Sequence, residues 1–576
     1  RWVVLPTSVD QEQRELTTTL THFTLFAEGN TIVPEPAPGI KGVQSQLYNG
    51  AWSVSYPIGA PPGPGGLAPG LSLDYSSRSL AGAGHHQLAG WGWDIGGLSY
   101  ILHDLSPGGT SKYTLTLDGI THELEEHGGY FYSAQDPFLK IRRPTASNPD
   151  YPVMEYFEYN NPFGTIDLPA TSGLYNRDNL VWEVTTESGI TYHFEPALYI
   201  RDCSGGDWEP EEMRVVHRFT KWVLTEVRDT TPTVPNRLTF NYDYEGTRQA
   251  GSQPAVCSNH DYTADELIQV RAARVKEISY GPNGIFKLKL FYLNREDRAE
   301  HFDETGYQGF WTRKYLQRVE VMANNTLLHK LVLGMTAFIN PAAPSQSRLY
   351  LSTITRYGTG SNALPPTSYT YGSGTTDGHM VTVNNGYQGR VEITYGGSSG
   401  GMVVQQEWWR GGGSDPDIVT QYVYDNSSWD DEAGGFGQAE AIQVGSGALI
   451  GSGQPDTRLK QWFHTTTNQH RWKGRLYKTE TRAGSGGTLL ARSDQTWNET
   501  SAGTPGGMTF VYLQDKTEYV VDPNGTCLLY TSDAADDLLC VDLGGRRIIK
   551  KKQKKKKKKP QLLLNIRHIS HQPTHA

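Results

Sequence analysis

Short runs of alternating polar and apolar residues, each closed by a glycine-bearing dipeptide, recur along almost the whole chain of 576 residues. Residues 113–117 end in Asp118-Gly119, residues 182–187 in Ser188-Gly189, and residues 351–356 in Tyr357-Gly358. A period of two puts every second side chain on one face of a strand, and Asp-Gly or Asn-Gly pairs accept the left-handed backbone of tight hairpin turns. The runs are rich in Thr, Tyr, Val and Trp, which suit a pleated, half-buried surface. Together with 63 Gly and 32 Pro, this excludes a helix bundle and predicts an all-β protein. No repeat of fixed length emerges, which argues against a regular solenoid or a simple propeller. What remains is a long antiparallel β-meander. Such a sheet must cover or remove its edges, so the expected fold is part of a curved or closed β-shell. Residues 261–276 form the main helix candidate, with a strand as the alternative.

Apolarity and charge narrow the function classes. No apolar run approaches the roughly 20 residues of a spanning helix, and a charged fraction of 20% is too low for a disordered chain. Four cysteines are too few for a disulfide framework, and whether Cys203 and Cys257 pair stays open. Residues 527–576 hold 12 of the 52 basic and 4 of the 61 acidic residues. Without them the formal charge moves from −9 to −17. A body of that charge repels phosphate backbones, so no nucleic-acid partner is expected.

The composition also changes along the chain. Residues 1–27 contain β-like runs at 2–5 and 17–26, too short to fold alone, and read as the end of a preceding β domain. Residues 28–45 form a proline-rich linker, with Pro34, Pro36 and Pro38 stiffening it. The main β region follows as residues 46–400 and continues through 401–526. Residues 527–536, Cys-Leu-Leu-Tyr-Thr-Ser-Asp-Ala-Ala-Asp, resemble the translation of a transposon-based sequencing adapter, and a lysine run follows at 550–559. On that reading, residues 527–576 are a disordered artefact that packs against nothing specific.

The most distinctive block spans residues 50–93. Gly50-Ala51-Trp52-Ser53-Val54-Ser55-Tyr56-Pro57-Ile58 leads through a Pro/Gly crossover at 61–70 into Leu71-Ser72-Leu73-Asp74-Tyr75-Ser76-Ser77, and then into Gly90-Trp91-Gly92-Trp93. It resembles the SpvB-type N-terminal region of toxin-complex B components and of Rhs (YD-repeat) proteins. Weaker matches follow in the family's order, as at Trp222-Val223-Leu224-Thr225-Glu226-Val227 and Asn385-Gly386-Tyr387-Gln388-Gly389-Arg390. The resemblance covers patches from about residue 46 to about residue 500. It implies a hollow shell enclosing a C-terminal toxin or effector segment.

Motifs for chemistry are weak. His85-His86 is a poor joint ligand pair, because neighbours on a strand point to opposite faces. His122, Glu123, Glu125, Glu126 and His127 are not in helical His-Glu-x-x-His order, and nearby glycines favour a hairpin. The acidic run at 202–212 lacks the pattern of a calcium loop. No nucleophile elbow and no phosphate-cradling loop occur. We therefore assign no catalytic, cofactor-binding or metal-binding residue, and no cofactor.

The expected function is non-catalytic: a structural fragment of a secreted or cell-surface bacterial protein of the Rhs/toxin-complex kind. Its expected partners are its own C-terminal effector segment and a translocation or attachment component, with no membrane span. The alternative is a secreted carbohydrate-binding or carbohydrate-active β protein, in which Trp408-Trp409 or Trp462 would stack on sugar rings and two carboxylates would flank a cleft.

Overall fold

A computed structural model describes residues 7–10, 15–18, 42–80, 87–104, 112–127, 130–133, 136, 138–142, 181–204, 214–231, 235–248, 268–295, 314–339, 347–399, 401–411, 417–431, 434–444, 457–465, 472–484, 487–500, 509–521, 527–533 and 564–567. The chain divides into two units, Glu35–Ala535 and a smaller one of Arg1–Pro34 with Asp536–Ala576. In the smaller unit, β1 (Thr7–Asp10) pairs with β2 (Glu15–Thr18). These strands lie between and beside the two runs expected from sequence, most of which fall outside the described residues.

The larger unit opens with a four-stranded sheet: β3 (Gln44–Ser45), β4 (Trp52–Pro57), β5 (Ser72–Ser76) and β6 (Trp93–Gly96). β3 takes up the end of the expected linker, whose prolines lie outside the described residues. The alternation read from sequence is realised here. Trp52, Val54, Leu73, Tyr75, Trp93 and Ile95 are buried on one face, while Ser53, Ser55, Ser72 and Asp74 take the other.

Eight strands then close on themselves: β7 (Tyr100–Asp104), β8 (Lys112–Leu117), β9 (Ile120–His127), β10 (Tyr130–Ser133), β11 (Lys140–Arg142), β12 (Trp182–Thr185), β13 (Thr191–Ser204) and β14 (Arg214–Arg228). Each pairs antiparallel with the next, and residues 221–223 of β14 return to β7. Closure removes the free edges. Tyr113, Phe131, Trp182 and Trp222 fill the interior with edge-to-face and tilted ring contacts between 5.0 and 6.1 Å.

The end of β14 leaves the barrel to start a continuous wall. Its first part is β15 (Arg237–Arg248), β16 (Ile268–Tyr280), β17 (Phe286–Asn294), β18 (Lys314–Ala323), β19 (Thr326–Phe338) and β20 (Arg348–Tyr357). Next come β21 (Thr367–Tyr371), β22 (Met380–Asn384), β23 (Arg390–Ser398), β24 (Gly401–Arg410) and β25 (Ile418–Tyr424). A small hairpin, β26 (Trp429–Asp430) and β27 (Gly435–Phe436), interrupts the order. The wall resumes with β28 (Gln438–Val444), β29 (Thr457–Phe463), β30 (Leu476–Ala483), β31 (Thr488–Thr500), β32 (Phe510–Val521) and β33 (Cys527–Asp533). Finally, β34 (Leu564–Arg567) pairs with β2 in the smaller unit.

Several expectations need correction. Where a helix was the first reading of residues 261–276, the described part is strand β16, because β15 and β17 offer ladders on both sides. Residues 527–533, expected to be without structure, pair with β32 from Asp515 opposite Asp533 to Val521 opposite Cys527. An open edge offers backbone donors and acceptors to any extended segment, so pairing there needs no side chains suited to a core.

A recurring device bends the wall. Tyr242, Tyr292, Tyr371 and Tyr395 each sit at a register shift with a neighbouring strand. Each hydroxyl donates to a carbonyl on the preceding strand, to Leu224, Val275, Leu351 and Met380 respectively, at 2.7–3.0 Å. Bulges bend strands and strand a ladder acceptor, which the phenol then satisfies. Burial raises all four phenol pKa values, so the donors stay protonated.

The β14–β15 turn is tied by Asp229, whose carboxylate accepts from the amides of Thr231 at 3.0 Å and Asn236 at 2.8 Å. Desolvation is the largest single influence and opposes ionisation, but the bonds from the Asn236 side chain, these two amides and the Thr231 hydroxyl together outweigh it and hold the pKa at about 2, below the ordinary 3.8. A depressed carboxyl contributes stability in full above 3.8 and loses it as pH falls through about 2. Amide protection at Thr231 and Asn236 should therefore fall across that window, and Asp229→Ala should abolish the pH dependence. PH-independent protection in the unsubstituted protein would refute this account.

Candidate functional site

The four-stranded block is the hub of the larger unit. Trp93 Nε1 donates to the Tyr371 hydroxyl at 2.8 Å, and its ring meets Tyr369 edge-on at 4.8 Å. The Tyr75 hydroxyl donates to the Gly378 carbonyl at 3.1 Å and accepts from the Met380 amide at 2.9 Å. Backbone bonds extend these contacts in both directions. Leu316 donates to Leu88, Trp91 to Leu349, Val404 to Gly50 and Phe436 to Tyr48, at 2.7–3.0 Å. At the extremes, the Tyr280 hydroxyl on β16 donates to Pro61 at 2.7 Å, and Phe463 on β29 packs on Tyr48 at 5.2 Å.

Those contacts determine curvature. β16 and β29 are eleven strand spacings apart in the wall, roughly 50 Å if the sheet were flat at about 4.8 Å per spacing. The block is four strands wide, about 15 Å by the same measure. It touches both only if the wall curls around it, so the block lies on the concave side. Asp94, on the polar face of β6, accepts from the Ile95 amide at 2.8 Å, and desolvation by surrounding protein raises its pKa.

The concave side can be followed across the later strands by register. The carboxylate of Glu407 on β24, itself buried, accepts from Ser45 of the block, and directly opposite Glu407 stands Thr420. Directly opposed residues share a face. One concave row therefore runs Thr420, Gln443, Thr457, Ala483, Thr488. A second runs Tyr422, Ala441, Leu459, Thr481, Ala491, and a third Tyr424, Ala439, Gln461, Thr479, Ser493. None carries a charge on β25 or on β28 to β31, but on β32 the third row continues to Glu518.

The convex face of the same strands is its chemical opposite. One row reads Glu440, Lys460, Glu480, Arg492, Tyr519, and its neighbour contains Trp462, Lys478 and Asp494. Lys478 and Arg482 reach Glu480 at 2.7 and 2.8 Å. Burial works to raise the Glu480 pKa, but these two hydrogen bonds prevail and lower it. Every residue of β29 is half-buried, and so is all of β30 except Glu480. In this stretch neither face is packed as a core; it is a single-layer wall with two unlike surfaces.

The motifs singled out from sequence do not assemble. His122 is buried on β9 with Nδ1 3.0 Å from Ser133 Oγ, while Glu123 and Glu126 are exposed. Burial lowers the His122 pKa. Of the acidic run, Asp202 lies on β13 opposite Val216, and Asp207 to Glu212 lie outside the described residues, as do His85, His86 and Cys257. Cys203 stands opposite Val215. Among the described residues no group of three or more His, Cys, Asp or Glu is placed to hold a metal. No helix among them is long and apolar enough to cross a membrane. The tryptophans considered for sugar stacking are engaged within the chain. Trp408 donates to Asp417 and lies under Arg410, Trp409 donates to Glu407, and Trp462 is flanked by Lys460 and Lys478.

No family model matches the chain, and no curated protein matches it. Among solved structures it is similar to the crystal structure of TcdB2-TccC3 without the hypervariable C-terminal region, with a TM-score of 0.50 and 10% identity over 88% of this chain. The likeness is one of fold: an all-β shell of the toxin-complex kind. This chain spans 44% of that chain's length.

Proposed function

We propose that the chain is a non-catalytic wall segment of a secreted or cell-surface protein of the SpvB-type Rhs/toxin-complex kind, enclosing an effector polypeptide that follows it in the same gene product. A translocation or attachment component would be its second partner. The observation that carries this reading is one continuous antiparallel wall, joined to a closed barrel and curled around its own N-terminal block. A wall of this kind separates a space; it does not converge reactive groups on a point. The SpvB-like residues support it further, since Trp52, Tyr75 and Trp93 form the hub about which the wall bends. The test is limited proteolysis of this chain with an effector-length polypeptide segment fused at its C-terminus. That segment should resist protease while the wall is folded and be cut once denaturant opens it. Cleavage at the rate of the free segment under native conditions would refute enclosure.

A further inference from the structure

Ring contacts in the hub run outward as a chain that ends at a phenol facing a carboxylate. Trp52 lies 6.1 Å from Tyr75, and Tyr75 lies 5.7 Å from Trp93 and 6.4 Å from Tyr371. Trp93 meets the Tyr371 hydroxyl through its indole N–H at 2.8 Å, and Tyr371 packs on Tyr350 at 4.8 Å. Trp52, Tyr75 and Trp93 are fully buried. Tyr350 is half-buried, and its hydroxyl donates to Oδ1 of the exposed Asp377 at 3.0 Å. We propose that this chain is a path for oxidising equivalents: an electron lost by Trp93 is replaced through Tyr371 from Tyr350, whose hydroxyl proton passes to Asp377. The oxidant is a one-electron acceptor such as an oxygen-centred radical. The path moves the damage from the hub, about which the wall bends, to its edge.

Proton acceptors set the direction. Removing an electron from a phenol makes its hydroxyl strongly acidic, so the neutral radical forms where a base within hydrogen-bond reach takes the proton. Tyr75 donates to the Gly378 carbonyl at 3.1 Å and Tyr371 to the Leu351 carbonyl at 2.7 Å. A carbonyl accepts a hydrogen bond but does not take the proton. Tyr350 differs because its acceptor is a carboxylate. It also stands apart from the bulge tyrosines, whose hydroxyls satisfy ladder carbonyls. Burial, and then the hydrogen bond to Asp377, raise the Tyr350 pKa, so the proton is in place before oxidation. The balance closes. One electron goes from Trp93 to the oxidant, one from Tyr350 to Trp93, and one proton from Tyr350 to Asp377. The tyrosyl radical then sits at the half-buried end of the chain, where a dissolved one-electron reductant returns the electron and Asp377 returns the proton.

The test generates the hole inside the protein. Pulsed light absorbed by tryptophan alone ejects an electron from the indoles of the full chain in air-saturated buffer, where dissolved oxygen takes it up. Peptide mass spectrometry then reads N-formylkynurenine at Trp93. Trp182 in the barrel is the internal control, because that indole is similarly buried. Two variants cut the path. Tyr350→Phe removes the terminal donor, whereas Asp377→Asn keeps a hydrogen-bond acceptor in the same place but no base. Both should raise the Trp93 product severalfold and leave Trp182 at its original yield. A nitroso spin trap should label Tyr350 in the unsubstituted chain and lose that label in Asp377→Asn. An unchanged Trp93 yield in both variants would overturn the proposal and leave the rings as packing. So would a matching rise at Trp182, which marks general loosening rather than a severed path. A rise in one variant alone would also overturn it, since phenol and carboxylate must act together.

Discussion

Trp93→Ala is expected to destabilise the larger unit by about 3–5 kcal/mol, the cost of truncating a fully buried large aromatic side chain. Trp93 is 0% exposed, and its ring lies 5.7 Å from Tyr75 and 4.8 Å from Tyr369. Its indole N–H also satisfies the Tyr371 hydroxyl, which in turn donates to the Leu351 carbonyl at 2.7 Å. The cavity would open where β6 meets β20 and β21, so the loss should not stay local. Urea unfolding followed by tryptophan fluorescence measures the total, and amide exchange on β20–β22 locates it. Trp93→Phe should fall between, since it keeps part of the volume and loses the donor. A loss under about 1 kcal/mol, the size of an ordinary substitution, would show that the block does not hold the wall.

The second large effect is expected at Gly50, where the block touches β24. Its φ is +70°, and an added Cβ would lie 2.3 Å from Val403 Cγ1. The Gly50 carbonyl accepts from the Val404 amide at 3.0 Å, so both the strain and the clash fall on one wall contact. Gly50→Ala should cost about 1–3 kcal/mol for the left-handed backbone and about 1–3 kcal/mol more for overpacking. Gly119 separates the two contributions. It has φ +84° with nothing within 4 Å of an added Cβ, so Gly119→Ala carries the strain alone. Gly50→Ala should also lose protection at the Val404 amide. Equal destabilisation by the two substitutions would remove the claim that Gly50 is a close-approach point between block and wall.

Packing differs along the wall. Near the block, wall strands such as β20 and β23 alternate buried and accessible residues over their first half. Away from it, β29 to β31 lose the alternation almost entirely. Exposed ion pairs such as Arg492–Asp494 at 2.7 Å add little stability, about 0–1 kcal/mol each. Ladder hydrogen bonds and the curvature imposed by the hub therefore do most of the work of holding the later wall.

Much of this was legible in the amino acids. Period-two runs and glycine turns determined strands and hairpins, because alternation and left-handed turn backbones are local properties. The Asp118-Gly119 turn and the buried face of Leu71, Leu73 and Tyr75 were readable for the same reason. The four bulge tyrosines were not singled out, although Tyr371 and Tyr395 both follow Thr and precede Gly at the end of an alternating run. Strand β16 was ambiguous because a 13-residue apolar-basic segment supports either period until neighbouring ladders decide.

Only the tertiary structure decided which strand of the barrel returns to which, and which side of the later wall is concave. Lys460 and Gln461 are both polar, so a hydrophobic pattern is silent about their faces. Contacts hundreds of residues away decide the matter: Ser45 on Glu407, Tyr48 on Phe463 and Gly50 against Val403. Register then carries that choice from strand to strand, because directly opposed residues must share a face. A local pattern can announce a strand, but the side on which a sheet bends depends on what it bends around.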